Sequence, residues 1–397
     1  MAARPRLALV TPWPPEQSGI ADYSELLSAP LSRSVDVDVI TAGPPAAYTP
    51  PRADGVRLLG ASEPGVGESL SAYDRVVYCV GNSRFHLHAL ELLRRHPGVV
   101  HFHDVQLTGL YFSLASAAFP DRPHAALIER IEETYADELP AGAFEQGLPD
   151  WGRLQELGVL MTRETRGLAE QSFVHSRYAL RMLEEDSAAL ARGPASILPF
   201  GMPPLAAGAS QPVQVGSEPV ILHLGAVNAI KGIASLIGAF GLVAARRPGA
   251  RLVIAGPIDD ADHRHWQGYA SEYAPGARVE ITGYVERERY TRLLRTAAVA
   301  VQLRTVATGE ASLAVADCLA AGLPTIVSDL GWAGELPADA VLRVPVSAEP
   351  VLIAERIEEL LGDRSMRARL AAAARAHAEM SAFERVADAY LDALRLR

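Results

Sequence analysis

Apolar residues in this chain cluster in short runs separated by longer stretches of helical spacing, and the alternation occurs twice. In the first half, Leu7–Val10, Val35–Ile40, Arg75–Tyr78, Val99–Phe102, Ser172–His175 and Ser196–Leu198 read as strands. Tyr23–Ala29, His86–His96 and Leu154–Glu170 carry helical spacing between them. Strands alternating with helices predict a parallel sheet with helices packed on both faces. Residues 201–218, rich in Pro, Gly, Ser and Ala, read as a linker. The pattern restarts at Val220 and continues with strands at Arg251–Ala255, Val279–Thr282, Val299–Leu303 and Thr325–Val327. Helical sequence such as Ile233–Arg246 and Arg287–Ala298 separates them.

The chain therefore reads as α/β, with two doubly wound, Rossmann-like domains at 1–200 and 219–380. The segment 381–397 holds Phe383, Val386, Ala387, Tyr390, Leu391 and Leu394 at helical spacing, so it needs a partner surface; the first domain offers one. Ligands of such sheets bind beyond the carboxyl ends of the strands. Two such edges can face each other across a cleft, with chemistry at strand-to-helix turns from both halves.

Charge narrows the picture. The formal net charge is -10, which argues against a general nucleic-acid binder. Of 37 Lys and Arg, only Lys231 is lysine, leaving 36 arginines. The exchange is harmless at exposed sites but not where a compact ammonium must reach one anion. Lys231 stands in Gly225-Ala226-Val227-Asn228-Ala229-Ile230-Lys231-Gly232, after a strand and before a helix, where phosphate binds in folds of this kind. Cys79 and Cys318 give neither a disulfide framework nor metal spacing. The run after the N-terminus is too short for a signal peptide, and no stretch is apolar enough to span a membrane. A cytoplasmic home is expected, with peripheral contact at the inner membrane face left open.

The segment Thr308-Gly309-Glu310-Ala311-Ser312-Leu313 opens a helix that Gly322-Leu323-Pro324 ends. Its first amides and dipole suit a diphosphate. Glu310 and Asp317 lie seven residues apart, so both can share a face roughly 10 Å long. That spacing suits hydroxyls at one end and a ribose at the other; a capping Glu and a solvated Asp fit it too. In the first half, Gly19 lies in the loop after the first strand, Asn82 follows a strand, and His103 and Asp104 close another. Asp104 could orient His103 or cap the next helix. His175 is a strand-end residue, equally a cleft liner or a structural group. His101 and His103 share a strand face but lack a third ligand nearby in sequence, so no metal site is expected.

Four stretches together resemble the retaining GT-B glycosyltransferases of family four, with bacterial mannosyltransferase-like members the nearest in look. They are Ser18–Ser24, Gly81–Asp104, Gly225–Gly232, and Gln302 through Ser312 continuing to Gly331–Pro337. The resemblance implies metal-independent transfer of a hexose-type sugar from a donor such as a GDP- or UDP-sugar to an acceptor hydroxyl, with no cofactor. The acceptor would be a sugar or small molecule, lipid-linked or not. Lys231 would hold the donor diphosphate, Glu310 the sugar hydroxyls, the Ala311, Ser312 and Leu313 amides the phosphate, and Asp317 the ribose. His103 would line the donor-sugar site, with Gly19 near phosphate and acceptor and Asn82, Asp104 and His175 on the acceptor side. The chain departs from the family pattern twice. Ala226 stands where the family has Arg, making Arg304 the candidate second cation; and Glu310 falls one residue after the usual acidic position, Gly309. The alternatives are a nucleotide-sugar epimerase, which would isomerise donor without acceptor, and a non-catalytic nucleotide-sugar-binding module. A dinucleotide dehydrogenase is disfavoured, since no Gly-x-Gly-x-x-Gly follows a strand at the right place.

Overall fold

The computed structural model describes residues 4–188, 193–203 and 216–397. Within these the chain forms two compact units. The first comprises Met1–Phe200, Thr308–Ala311 and Phe383–Arg397; the second comprises Gly201–Ala307 and Ser312–Ala382. Most of the expected 201–218 linker, residues 204–215, lies outside the described residues.

Seven strands build the sheet of the first unit: β1 (Arg6–Val10), β2 (Asp36–Thr41), β3 (Val56–Gly60), β4 (Arg75–Val80), β5 (Gly98–Phe102), β6 (Ala169–Val174) and β7 (Ala195–Ile197). Their order is β3-β2-β1-β4-β5-β6-β7, and every pairing is parallel. The central strands read as apolar runs because helices cover both faces and neither face meets water. The strand order reverses between β1 and β4, which makes that edge the switch point.

The second unit repeats the plan with β8 (Val220–Leu224), β9 (Arg251–Ala255), β10 (Arg278–Ile281), β11 (Val299–Gln302), β12 (Thr325–Ser328) and β13 (Leu342–Val344). The order is β10-β9-β8-β11-β12-β13, again parallel, with the reversal between β8 and β11. Both units are Rossmann-like, as the alternation of runs and helices predicts. No helix among the described residues is long and apolar enough to cross a membrane.

Two differences from the sequence expectation have identifiable causes. The helical pattern over 154–170 is broken into helices at Trp151–Glu156 and Arg163–Leu168, and β6 already begins at Ala169. Gly158, at φ 74°, stops the first piece. The buried carboxylate of Asp186 then captures the backbone N–H and hydroxyl of Thr162, which restarts the helix one residue later. The edge strands β3 and β13 lie outside the expected set. β13 is only 3 residues long, and β3 turns Arg57 outward to pair with Asp38, so its apolar signal is diluted. The final helix runs Phe383–Leu394 and belongs to the first unit, where Tyr390 is fully buried with its ring 5.5 Å from those of His101 and Phe173.

Candidate functional site

The two switch points are built from the same strand–turn–helix unit but filled differently. In the first unit, the turn after β4 passes Gly81 and Asn82. A Cβ on Gly81 would come within 2.3 Å of Ile20 Cδ1, 2.7 Å of His86 Nε2 and 3.1 Å of Asp104 Oδ2, so the place is filled by protein. Asn82 accepts hydrogen bonds from Gly109 N at 2.6 Å and Leu110 N at 3.3 Å, capping the Thr108–Ala118 helix. That assigns the cap to Asn82 rather than Asp104. Asp104 accepts from Asn82 N at 2.9 Å and from the Thr308 hydroxyl at 3.2 Å. Gly19, by contrast, is exposed at the start of the Gly19–Leu31 helix, and beyond its chain neighbours none of the described residues comes within 4 Å of where its Cβ would be. Backbone there is open to close approach.

His103 is buried at the end of β5, with its ring edge-on to Tyr23 at 5.1 Å between centroids. His103 Nδ1 lies 3.4 Å from His175 Nε2, and His175 Nδ1 lies 3.3 Å from the Leu198 carbonyl. His175 is thus buried and supports the His103 ring. Burial, and after it the His175 and His86 rings, holds the His103 pKa well below the usual imidazole range. The ring is neutral near pH 7, and its Nε2 has no hydrogen-bond partner among the described residues. A neutral imidazole nitrogen without a partner in a buried site can take a hydroxyl without a change of charge.

Cys79 pairs in register with His101 across β4 and β5. Cys79, His101 and His103 each place one ligand atom within 4.8 Å of the others, giving the third neighbour that sequence spacing withheld. Tetrahedral ions want four ligands, and the next nitrogen, His175 Nε2, already faces His103 Nδ1. Burial pushes the Cys79 thiol up to about 12.

Glu310 also belongs to the first unit, although sequence groups it with the second. Its Oε2 accepts from Thr308 N at 2.7 Å and Thr308 Oγ1 at 2.8 Å. Tyr178 is near enough for the Glu310 charge to raise its pKa, after the larger effect of burial. Two groups that sequence reasoning passed over stand here. Thr308 gave only the faint signal of a hydroxyl two residues before an acid, and Trp151 none. The Trp151 ring is partly exposed and reaches to within 2.7 Å of a Cβ built on Gly109, beside Asn82.

In the second unit the turn after β8 is open. Gly225 takes φ 103°, and a Cβ there would meet, among the described residues, only Ala314 Cβ, at 3.7 Å. That contact places the turn beside the start of the Leu313–Ala321 helix, whose N-cap, Ser312, accepts from Val315 N at 3.4 Å. Helix geometry leaves the first amides without intrahelical partners. Lys231 ends a short 3₁₀ turn, and Gly232 follows at φ 61°. A Cβ on Gly232 would come within 2.8 Å of Leu303 Cβ, and Thr305 N donates to Ile230 O at 2.9 Å. These two contacts fasten the Lys231 turn to the end of β11, next to Arg304. Arg304 is fixed through its own N–H, which donates to Ser328 Oγ at 2.8 Å.

Buried His223 on β8 reports the same convergence. Its pKa is lowered to about 4, chiefly by burial, with the Lys231 and Arg304 charges adding to the fall against a hydrogen bond to Val301 O. Both cations therefore lie within electrostatic reach of one imidazole at the switch point. Asp317 is partly buried one to two turns into the helix and accepts from Tyr290 OH at 2.5 Å. Tyr290 was not anticipated; no pattern in sequence links it to Asp317.

Residues 210–377 match the family model described as "Glycosyl transferases group 1". No curated protein matches the chain in sequence. Several solved structures share the whole fold. The chain is similar to sucrose-phosphate synthase from Thermosynechococcus elongatus (TM-score 0.68, 18% identity, covering 99% of this chain and 98% of that one). It is similar to the Anabaena protein HepE in complex with UDP and glucose (TM-score 0.66, 13% identity, 98% and 99% covered). It is also similar to WaaG, a glycosyltransferase involved in lipopolysaccharide biosynthesis (TM-score 0.61, 16% identity, 98% and 99% covered).

Proposed function

We infer that this glycosyltransferase of the GT-B fold moves a hexose-type sugar from a nucleotide-sugar donor to an acceptor hydroxyl with retention of configuration. The observation that carries the reading is the joined Lys231 and Arg304 turns beside the Leu313–Ala321 helix start. Two cations and a helix N-terminus at one switch point form a diphosphate site. The solved likeness that holds UDP and glucose supports a uridine or related nucleotide donor.

The chemistry follows from charge. As the glycosidic bond to the leaving diphosphate breaks, the sugar becomes oxocarbenium-like and the diphosphate gains negative charge. Donors already fixed at that charge stabilise the transition state without reorganising. Lys231, Arg304 and the amides from Ser312 onward supply them. The Glu310 carboxylate holds hydroxyls of the transferred sugar, His103 Nε2 takes another, and Asp317 receives the ribose. The departing phosphate accepts the proton of the acceptor hydroxyl, so the acceptor adds to the face the phosphate leaves. These cations perform the neutralisation that a metal would otherwise supply, so a chelator is expected to leave turnover unchanged. The family-four, mannosyltransferase-like likeness belongs to this reading, as do the Gly19 loop and Asn82–Asp104 region as acceptor side and a sugar or small-molecule acceptor, lipid-linked or free.

A panel of nucleotide sugars scored by thermal stabilisation tests the donor site, since a ligand selective for the native state raises the melting temperature by mass action. The expected result is stabilisation by one nucleotide family, weakened in Lys231→Ala. No stabilisation by any nucleotide diphosphate would overturn the site. Incubating the stabilising donor with no acceptor separates the alternatives: an epimerase isomerises it, and a binding module leaves it intact even when acceptors are added.

A further inference from the structure

We propose that Thr308 is a positioning residue for Glu310, and that its single hydroxyl proton is shared between Glu310 and Asp104. The proposal rests on the reading of Glu310 as the group that holds the transferred sugar.

Thr308–Ala311 belong to the first unit, while the residues on either side belong to the second. The excursion is pinned by backbone. Thr308 O accepts from Val105 N at 2.7 Å and from Gln106 N at 2.9 Å. Gly309 follows at φ 83°, and a Cβ there would stand 2.6 Å from Val105 Cβ. Only glycine allows both that backbone and that approach. From this anchor the chain folds Glu310 back, so that its Oε2 receives the Thr308 N–H and hydroxyl at 2.7 and 2.8 Å.

The hydroxyl has a second acceptor. Thr308 Oγ1 lies 3.2 Å from Asp104 Oδ1, while Asp104 Oδ2 is held by the Asn82 N–H at 2.9 Å. A hydroxyl carries one hydrogen, so it donates to one carboxylate at a time. When it turns to Glu310, the Thr308 N–H and hydroxyl both hold that carboxylate; when it turns to Asp104, the N–H still holds Glu310. A sugar hydroxyl that donates to Glu310 can therefore take the place of the threonine proton, which rotates to Asp104 without leaving its oxygen. Neither carboxylate loses all its donors during the exchange. The side chain that meets the sugar is thus oriented before the sugar arrives.

The test compares Thr308→Val, Thr308→Ser, Glu310→Gln and the Thr308→Val/Glu310→Gln pair in the full chain. The measurements are turnover with the working donor and acceptor, nucleoside diphosphate affinity and melting temperature. Valine keeps the shape of threonine and removes the hydroxyl. It is expected to lower kcat about tenfold, the size of one hydrogen bond to a charged group, while diphosphate affinity and melting temperature hold. Serine is expected to restore turnover to within about twofold. The pair is expected to be no slower than Glu310→Gln alone, because Thr308 acts only through that carboxylate. Should valine prevent folding, Thr308→Ala takes its place. Wild-type kcat in the valine or alanine variant, a loss that serine does not restore, or a loss that adds in full to Glu310→Gln would overturn the proposal. Wild-type turnover in Glu310→Gln would overturn the reading of Glu310 itself, and the proposal with it.

Discussion

The turn after β4 in the first unit and the turn after β8 in the second each leave one of the two strands between which the sheet order of that unit reverses. The first is packed: Ile20, His86 and Asp104 crowd Gly81, and Asn82 spends its side chain on a helix end. The second is open: a Cβ on Gly225 would meet, among the described residues, only Ala314 Cβ at van der Waals distance, and beside the turn stand Lys231 and Arg304. A switch point is therefore a location, not a function. Which one can take an anion is decided by the side chains that fill it, and the proposed anion site falls in the second unit.

The contrast can be broken most directly at Lys231. Lys231→Ala is expected to cut turnover by about 10²-fold or more, the cost of losing one transition-state donor, with melting temperature unchanged. Lys231→Arg should recover little, because a planar fork does not reproduce a compact ammonium. Steady-state kinetics beside a melting curve checks both, and wild-type turnover in either variant would remove the lysine from the mechanism.

Gly81→Ala should do the reverse. The added methyl meets Ile20, His86 and Asp104, and forced overpacking costs about 1–3 kcal/mol of stability. Urea unfolding reads it, and an unchanged midpoint would mean that this switch point is as open as its counterpart.

Acid should separate the units next. In the first, His86 is lowered to about 3, His88 and His175 to about 4, and His101 and His103 well below the usual range, all chiefly by burial. In the second, His223 is lowered to about 4 and His377 is lowered. The unfolded chain binds protons on these rings near pH 6.5, while the folded chain does not until about pH 4. Stability from this source is therefore level above about pH 6.5 and falls as the pH drops towards 4. Hydrogen exchange at pH 7 and pH 5 should show the first unit losing protection sooner; earlier loss in the second would reverse the comparison.

The smallest effect is expected from Asn82→Ala, which removes the cap of the Thr108–Ala118 helix at a cost of about 1 kcal/mol. Donor affinity should stay at the wild-type value, measured by titration with the preferred nucleotide. A change in donor affinity larger than the change in stability would place Asn82 at the donor rather than on the acceptor side.

Much of this molecule was legible beforehand because it rests on local rules. Alternating apolar runs and helical stretches place strands such as Arg251–Ala255 and helices such as Ile233–Arg246 where they are found. Charge bookkeeping isolates Lys231, and its position after a strand and glycine turn is a local pattern. The break at Gly158–Thr162 was not legible, because its cause is a carboxylate on Asp186, more than twenty residues away. Nor was the burial of His175, which depends on His103 across the sheet.

Sequence alone determined the two Rossmann-like halves and the segment that carries the sole lysine, since periodicity and composition are properties of neighbours along a chain. Only the tertiary structure decided that Glu310 lodges with Asp104 and Val105 in the first unit, that Asn82 and not Asp104 caps the next helix, and that Asp317 meets Tyr290. Those partners lie far apart in sequence, and a hydrogen bond depends on where folded backbone sets two atoms rather than on how many residues separate them.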